Sequence, residues 1–406
     1  MDEQEAITKA QALLNRPGDA NVSPLAVYRH AAKADSVQQR RPNVVLIMME
    51  SMSAKFMKHF GQSETLTPFL DSLYTRSISF RNFYSAGIHT NHGLYATLYS
   101  FPAMMKRNLM KGSVIPRYSG LPTVLKENGY YNLFFMTHEG QYDNMNAFFR
   151  TNGYDEVFSQ EDYPVDKVVN SFGVQDDFLY DYAIPVLNQR AATGQPFFAT
   201  LLSISNHPPY VIPPFFHPKT SEPEMQIVEY ADWALRQFFE EARKQPWFDN
   251  TIFVLEGDHG KLVGDAECEL PESYNHIPLM IYSSRIQPEE KTAFGGQVDI
   301  QPTILGLLNI DYLQNNFGVD LLKEERPCMF YTADNMVVGR NDTLLYLYNY
   351  ETQQELTYDI GNGKLNAVPM DDSFFPLKEY SFSMLQSAEF LVKHGKTVNT
   401  VPFTQQ

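Results

Sequence analysis

Three short segments of the chain combine residue types that can hold a metal ion with one that can attack phosphorus. Asp258 and His259 stand between two glycines, and Glu50 directly follows a run of apolar residues. Carboxylates and imidazole are ligands suited to zinc or manganese. Thr90 lies between two histidines, at the start of a stretch with helical character. Together these side chains predict a site in which a divalent ion lowers the pKa of the Thr90 hydroxyl and makes it a nucleophile.

Each segment also has an interpretation without chemistry, which the segment alone leaves open. Glu50 can belong to the first turn of a helix, and Thr90 can be a helix N-cap. The pair Asp258 and His259 can be a turn with a surface histidine. The coincidence of all three favours one metal site, where the ion would also neutralise charge that builds on a transferring phosphoryl group.

The elements that must position these residues follow from the apolar pattern. Apolar runs that predict strands buried on both faces of a mostly parallel sheet occupy residues 44–49, 133–136, 197–202, 252–255 and 279–282. Helical stretches separate them, at residues 68–76, 121–128, 174–188, 224–244 and 300–308. This alternation predicts an α/β fold with an open sheet and helices on both faces. Ligands bind outside the carboxyl ends of strands in such sheets, which is where Glu50 and Asp258 fall.

The regions before and after this alternating pattern of strands and helices predict different structures. Residues 1–41 predict a helical lead-in, with helices near 5–14 and 24–34, followed by a polar linker at 36–41. Residues 42–310 form the predicted catalytic domain. Residues 311–406 predict a small antiparallel sheet, with strands at 329–332 and 343–348, and a helix near 383–392.

Composition excludes several classes of protein. The chain has 406 residues, with 32 Lys and Arg against 48 Asp and Glu, so its formal net charge is −16. This charge argues against binding to nucleic acid, and it predicts no basic patch of the kind that peripheral membrane proteins use. No apolar run approaches the roughly 20 residues that span a bilayer. The two cysteines, Cys268 and Cys328, leave the redox compartment open.

Five motifs, taken in order, resemble the lipoteichoic acid synthase family, which comprises sulfatase-like phosphoglycerol transferases of the alkaline phosphatase superfamily. They lie at residues 43–51, 87–102, 256–260, 274–279 and 298–303, and the resemblance extends over roughly residues 42–370. It implies a three-layer sulfatase-like fold. It also implies that Glu50, Thr90, Asp258 and His259 ligate one ion, manganese with zinc or magnesium as alternatives. Thr90 would become covalently phosphoglycerylated.

Further residues carry over from the resemblance as candidates. His207 resembles a family histidine near the substrate phosphate, where it would stabilise charge or protonate the leaving alkoxide, although a loop histidine bonded to backbone is an alternative. The substrate-binding candidates are Asn91, His138, Asp143 and His276. The chain departs from the family at residues 142–146, where a Trp-Asn-Arg stretch is missing and no arginine is present to bind phosphate. Asp143 would instead hydrogen-bond glycerol hydroxyls or pair with an ammonium group.

The resemblance implies a transferase that moves phosphoglycerol from phosphatidylglycerol to a cell-envelope glycan or polyol-phosphate polymer through Thr90. It implies action at the extracytoplasmic face of a bacterial cytoplasmic membrane, with a transmembrane bundle preceding this domain. Alternatives are a phosphoethanolamine transferase, a phosphodiesterase or phosphatase that uses water as acceptor, and a non-catalytic binding domain. Sulfatase activity is disfavoured because no Cys or Ser has the x-Pro-x-Arg sequence from which formylglycine is made.

Overall fold

The computed structural model describes residues 2–16, 26–34, 41–112 and 114–399. The helices are α1 (Glu3–Leu14), α2 (Pro68–Tyr74), α3 (Thr90–Tyr99), α4 (Leu121–Glu127), α5 (Met145–Thr151), α6 (Asp176–Ala191), α7 (Pro223–Ala242), α8 (Ile300–Leu307) and α9 (Phe375–Lys393). The strands up to residue 315 are β1 (Tyr28–Ala31), β2 (Asn43–Met49), β3 (Ile78–Tyr84), β4 (Tyr131–Met136), β5 (Glu156–Phe158), β6 (Phe197–Leu202), β7 (Thr251–Gly257), β8 (Leu279–Tyr282), β9 (Glu289–Gly296) and β10 (Tyr312–Asn315). The remaining strands are β11 (Met329–Thr332), β12 (Met336–Arg340), β13 (Leu344–Asn349), β14 (Gln354–Asp359) and β15 (Asn366–Ala367).

An eight-stranded sheet in the described residues organises the molecule, in the order β5-β4-β6-β2-β7-β8-β3-β9. Strand β8 runs antiparallel to both of its neighbours, and the other pairings are parallel. All seven residues of β2 are buried, as are all seven of β7 beside it. Continuous apolar runs of this kind are typical of strands covered on both faces. The five predicted strands and the predicted sheet are confirmed.

The side chains of β2 alternate between two hydrophobic cores. Val44, Leu46 and Met48 pack into the core that α3, α4 and α8 cover. Val45 and Ile47 enter the opposite core, which α2, α6 and α7 cover. Successive side chains of a strand point to opposite faces, so one central strand contributes to both layers. The result is the three-layer arrangement that the sequence predicts.

The lead-in differs from its prediction. Helix α1 is present, but the expected helix at residues 24–34 is wrong for the described part, where β1 pairs antiparallel with β10. Pairing is favoured because Arg29 is buried and donates to the carbonyls of Asn316 and Gly318, at 2.7 and 3.0 Å. Residues 24–25 and most of the predicted linker, 36–40, lie outside the described residues. Helix α1 packs against α9.

The C-terminal region has the predicted small antiparallel sheet and helix. Strands β11–β15 form an antiparallel sheet, and α9 packs on β11 and β12. Strands β3 and β9 escaped prediction because polar residues interrupt the first and dominate the exposed half of the second, which lies at the sheet edge. The boundaries at residues 41 and 310 stay a prediction. Both cysteines are free thiols. Among the described residues, no helix combines the length and apolarity needed to cross a membrane.

Candidate active site

Two of the three segments predicted to form the site, the one with Glu50 and the one with Asp258 and His259, meet where β2 and β7 end. These strands are parallel neighbours, with Met48 opposite Glu256 and Met49 opposite Gly257. Glu50 and Asp258 are the next residues along, and the Asp258 amide donates to the Met49 carbonyl at 3.0 Å. The sheet register therefore brings the two carboxylates to one point at its carboxyl edge, as expected for an open α/β sheet.

Glu50, Asp258 and His259 form a cluster that can hold a metal ion. One ligand atom from each lies within 4.8 Å of the others. The Nε2 atom of His259 is 3.6 Å from Oδ2 of Asp258 and 3.9 Å from Oε1 of Glu50. Its Nδ1 atom lies 2.7 Å from the Gly260 carbonyl, so Nδ1 carries the proton and Nε2 faces the carboxylates. Histidine ligands to metals are commonly oriented by such a bond.

The buried carboxylates of this cluster lack sufficient compensation from the protein. Oδ1 of Asp258 accepts from the amides of Ser51 and His259, at 2.8 and 2.7 Å. Oδ2 of Asp258 is buried without a hydrogen-bond partner. Burial, and then the nearby Asp258 carboxylate, raises the pKa of Glu50 well above its ordinary value. Two adjacent buried acids with an orphaned oxygen are costly unless a cation joins them, so these residues fit a divalent ion.

Thr90 reaches this cluster from the third segment. It is the first residue of α3, and its Oγ1 donates to Oε2 of Glu50 at 3.4 Å. Two contacts fix the approach of the helix to β7. A Cβ atom on Gly93 would lie only 2.3 Å from the Asp258 carbonyl oxygen, so only glycine permits this distance. Gln297 donates to that carbonyl at 2.8 Å and accepts from the Ala86 amide at 2.9 Å.

The cluster opens into a pocket of about 410 Å³. Seven of the residues named from the sequence line this pocket or lie in the cluster behind it. The candidates that line the pocket are Glu50, Thr90, Asn91, Asp143, His207 and His259. Asp258 lies beneath them, completely buried. Side chains from five different loops thus converge on one cavity, which is what a binding site in this kind of fold requires.

His207 stands on the loop after β6. Its ring packs against Phe172, with centroids 4.0 Å apart, and its Nδ1 lies 2.6 Å from the Pro208 carbonyl. The buried carboxylate of Asp176 shapes the start of the loop by accepting from the amides of Ile204 and Ser205, at 2.8 and 3.0 Å. His207 is therefore bonded to backbone through Nδ1, which leaves Nε2 available in the pocket.

Asp143 forms part of the opposite wall. It is backed by Lys111, whose Nζ lies 2.6 Å from Oδ1, and by Asn91, whose Nδ2 donates to Oδ2 at 3.3 Å. Asp143 and the following Asn144 have φ of 49° and 63°, in the left-handed region that non-glycine residues seldom adopt. Such strain is typical of functional sites, where surrounding contacts maintain it.

Two histidines named from the sequence do not line this pocket. His138 is buried behind Tyr142, with ring centroids 4.7 Å apart, and burial lowers its pKa. His276 packs between Phe60 and Tyr84, and its Nε2 donates to the Arg81 carbonyl at 2.8 Å. The His276 ring is stacked on Tyr84 and meets Phe60 edge-on, outside the lining of this pocket, so its substrate-binding role stays a prediction that this position does not support.

Sequence reasoning missed a lysine in the pocket. Lys261 follows the Asp-His-Gly segment directly, and that adjacency is a signal that could have found it. Its Nζ donates to Oδ1 of Asn206 at 2.7 Å and to the Tyr210 hydroxyl at 3.0 Å. Burial lowers its pKa to about 8. Asn206 in turn donates to the carbonyls of Glu50 and Ser51, at 3.2 and 3.1 Å, so the lysine also supports the turn that carries the metal cluster.

Comparison with known proteins agrees with this geometry. The family model described as Sulfatase matches residues 42–310. Lipoteichoic acid synthase 2 of Bacillus subtilis (strain 168) is 24% identical over 315 residues, which are 70% of this chain and 47% of that protein. Lipoteichoic acid synthase 1 of the same strain is 25% identical over 350 residues, covering 79% of this chain and 53% of that protein. The chain therefore spans about half the length of these curated relatives.

Solved structures are similar over almost the whole chain. A protein in the alkaline phosphatase superfamily from Vibrio parahaemolyticus superposes with a TM-score of 0.85 at 26% identity, covering 97% of both chains. The lipoteichoic acid synthase LtaP of Listeria monocytogenes superposes with a TM-score of 0.76 at 19% identity, covering 97% of this chain and 98% of that one. The resemblance predicted from the motifs is confirmed, as is the sulfatase-like fold.

Proposed function

The chain belongs to the sulfatase family, and we propose that it is a metal-dependent transferase with Thr90 as its nucleophile. The group transferred would be phosphoglycerol, taken from phosphatidylglycerol and passed to a cell-envelope glycan or polyol-phosphate polymer. The relatives named as lipoteichoic acid synthases support this choice of donor and acceptor. The observation that carries the proposal is the approach of Thr90 Oγ1 to the Glu50 carboxylate, within a cluster of acids and imidazole that fits a divalent ion.

Four residues would hold the ion: Glu50, Thr90, Asp258 and His259. Manganese fits this set of oxygen and imidazole ligands, with zinc or magnesium as alternatives. Bound there, the ion lowers the pKa of the Thr90 hydroxyl and offsets negative charge on the phosphoryl oxygens. His259 is already oriented for this, because its Nδ1 proton is directed at the Gly260 carbonyl.

In the first step, Thr90 loses its hydroxyl proton to solvent and attacks the phosphorus of the donor. The Oγ1–P bond forms and the bond from phosphorus to the diacylglycerol oxygen breaks. His207 enters this step with a proton on each ring nitrogen; it keeps the Nδ1 proton on the Pro208 carbonyl and gives the leaving oxygen the one from Nε2. In the second step, an acceptor hydroxyl returns a proton to His207 as it attacks phosphorus. The Oγ1–P bond then breaks, and Thr90 regains its proton from solvent.

Lys261 supports an anionic substrate in this pocket. A phosphodiester carries one negative charge, and the departure from the family at residues 142–146 removes an arginine that would otherwise meet it. Lys261 places an ammonium group on the pocket wall from a different loop. Hydrogen bonds to charged groups are among the stronger ones, so this lysine can take over part of the phosphate contact.

Glycerol is favoured over ethanolamine as the headgroup because of the partner of Asp143. An ethanolamine ammonium would need a carboxylate partner, but Asp143 already pairs with Lys111 at 2.6 Å. Glu224, the exposed carboxylate on the pocket lining, lies 3.9 Å from Lys261. The remaining acceptor capacity of Asp143 suits the hydroxyls of glycerol. Phosphoethanolamine transfer is the second candidate, and it would require Lys111 to move away from Asp143.

Intact-protein mass spectrometry tests the proposal. The protein is incubated with manganese and phosphatidylglycerol or phosphatidylethanolamine, with Thr90→Ala alongside. We expect a phosphoglycerol increment on the wild type alone. A phosphoethanolamine increment would promote the second candidate. If both lipids are cleaved without any increment, water is the acceptor on a short-lived intermediate; if neither lipid is cleaved, the proposed activity is wrong.

A further inference from the structure

Exposed apolar side chains concentrate around the mouth of the pocket. In the described part of the chain, nine large hydrophobic residues are exposed. Five of these belong to loops at the pocket, and together we name them the mouth patch: Val114, Tyr142, Val165, Val169 and Leu262. Single exposed apolar residues are ordinary, but a group beside a ligand pocket indicates an interaction surface.

The mouth patch is continuous with the pocket. Tyr142 and Leu262 are both exposed and line the cavity from different loops. The Val169 amide donates to the Gly173 carbonyl at 2.9 Å, closing a short turn that contains Phe172. The Phe172 ring is 6.3 Å from that of Tyr142. Val165, at the other end of the same segment, is 87% exposed.

Val114 borders the pocket from another direction. It lies three residues after Lys111, which pairs with Asp143 on the pocket wall. The Asn144 side chain also donates to the Met110 carbonyl at 3.1 Å, which fastens this loop to the rim. Val114 itself is 80% exposed. The two most exposed valines therefore stand on separate loops that border the same mouth.

Charge is distributed unevenly around this mouth. Residues 72–126 contain no Asp or Glu and seven Lys or Arg, of which Arg81 and Lys126 pair with acids away from the mouth. Four of these stand in the loop that carries Val114, namely Lys106, Arg107, Lys111 and Arg117. Lys106 pairs with Glu351 and Lys111 with Asp143, so in the described residues Arg107 and Arg117 are the two cations of this loop without an ion pair. A basic loop with an exposed apolar residue is suited to the interface of an anionic bilayer.

We propose that the mouth patch rests on the surface of an anionic phospholipid bilayer. The proposal depends on the function proposed above, in which the donor is a phospholipid. Extracting a diacyl lipid would expose both acyl chains to water, whereas a docked mouth patch admits the headgroup while the chains remain in the membrane. The valines insert among the acyl chains near the headgroups, and the basic loop meets lipid phosphates.

Vesicle flotation of the purified chain tests the docking. The probes are vesicles of phosphatidylglycerol and vesicles of phosphatidylcholine. We expect the protein to float with the first, and Val114→Ser/Val165→Ser to lower the bound fraction about tenfold. The matched control is Tyr350→Ser/Phe375→Ser, which removes two residues of 63% and 52% exposure on the C-terminal region. This control should bind as the wild type does.

A soluble chromogenic phosphodiester separates docking from chemistry. We expect Val114→Ser/Val165→Ser to cleave it at the wild-type rate in manganese, and to lose activity only on phosphatidylglycerol in vesicles. Absence of flotation by the wild type, or equal loss by the control pair, overturns the docking. So does an equal loss on the soluble diester. Equal binding to phosphatidylcholine overturns the role of the basic loop. If no variant cleaves either substrate while flotation persists, the proposed function fails instead.

Discussion

The metal cluster and the pocket wall facing it are built differently. At the cluster, backbone groups hold the side chains: two amides bind Asp258, and the Gly260 carbonyl orients His259. At the wall, side chains hold one another: Lys111 and Asn91 hold Asp143, while Tyr210 and Asn206 hold Lys261. Glu50 and Asp258 of the cluster are buried, whereas Lys111 on the wall is mostly exposed.

This difference separates what the protein must fix from what it can vary. Backbone bonds at the ends of buried strands cannot be altered without moving the sheet, so the cluster geometry is set by the fold. Bonds between side chains change with single substitutions. We therefore expect the reacting groups to be intolerant of change, and the residues that select a substrate to respond in graded fashion.

Removing the nucleophile should have the largest effect. Thr90→Ala should lower turnover of a soluble phosphodiester by about 10³-fold or more, because the covalent route is lost. The thermal unfolding midpoint should stay near that of the wild type, since Thr90 is not part of the buried core. Thr90→Ser, which keeps a hydroxyl, serves as the control. A Thr90→Ala protein with the wild-type rate would refute the assignment.

Loss of one cluster carboxylate should come next. Asp258→Asn keeps the shape of the side chain and removes its charge. We expect it to weaken manganese binding at least about 100-fold, the upper range for losing a residue that merely orients a ligand. Elemental analysis after dialysis against a fixed free metal concentration measures this. Unchanged metal content would remove Asp258 from the ligand set.

A graded effect is expected on the wall. Lys261→Met keeps length and apolar contact but removes the ammonium, and it should lower kcat/KM for an anionic diester about 30-fold, or about 2 kcal/mol. The loss should fall mainly on KM, and Lys261→Arg should restore part of it. An equal loss of bound metal in Lys261→Met would instead identify the lysine as a support for the Glu50 turn through Asn206.

The smallest effect is expected for the ion pair of Lys111 with Asp143, whose lysine is exposed. Lys111→Met breaks the ion pair with Asp143, and surface pairs of this kind contribute less than about 1 kcal/mol. The free energy of unfolding should fall by less than about 1 kcal/mol. The turnover rate of the soluble diester should stay within about threefold of the wild-type rate. Discrimination between phosphatidylglycerol and phosphatidylethanolamine should shift toward ethanolamine, because Asp143 is then free. If Lys111→Met lowered the free energy of unfolding as much as a core substitution does, the pocket wall would not be the variable part of the site.

The sequence predicted those parts of the site that depend on strand ends. Glu50 and Asp258 follow uninterrupted apolar runs, so the edge at which they meet could be inferred before any coordinates. Asn91, Asp143 and His207 also reach the pocket. The sequence could not show that Lys261 would turn into the cavity, or that His276 would stack on Tyr84, because loop paths depend on packing between segments that are distant along the chain.

The fold could also be predicted where continuous apolar runs mark buried strands, and not where an element depends on distant partners. Strands with apolar residues on both faces, such as β2 and β7, were identified, whereas the polar edge strand β9 was not. The short strand β1 was mistaken for a helix because its local pattern is compatible with both. Its conformation is decided by pairing with β10, nearly 290 residues away in the chain. Local patterns do not carry information on such partners.

The close contact at Gly93 has a consequence for how activity and folding can be separated. The gap between the helix that begins at Thr90 and the residue that follows β7, Asp258, is set by the absence of a single carbon atom at Gly93. We expect a methyl group at Gly93 to push α3 away from β7, which would move the Thr90 hydroxyl away from Glu50 and Asp258. The hydrophobic layers on both sides of the sheet would remain assembled. The reactivity of this protein therefore depends on a spacing, which can be lost while every reacting group is still present.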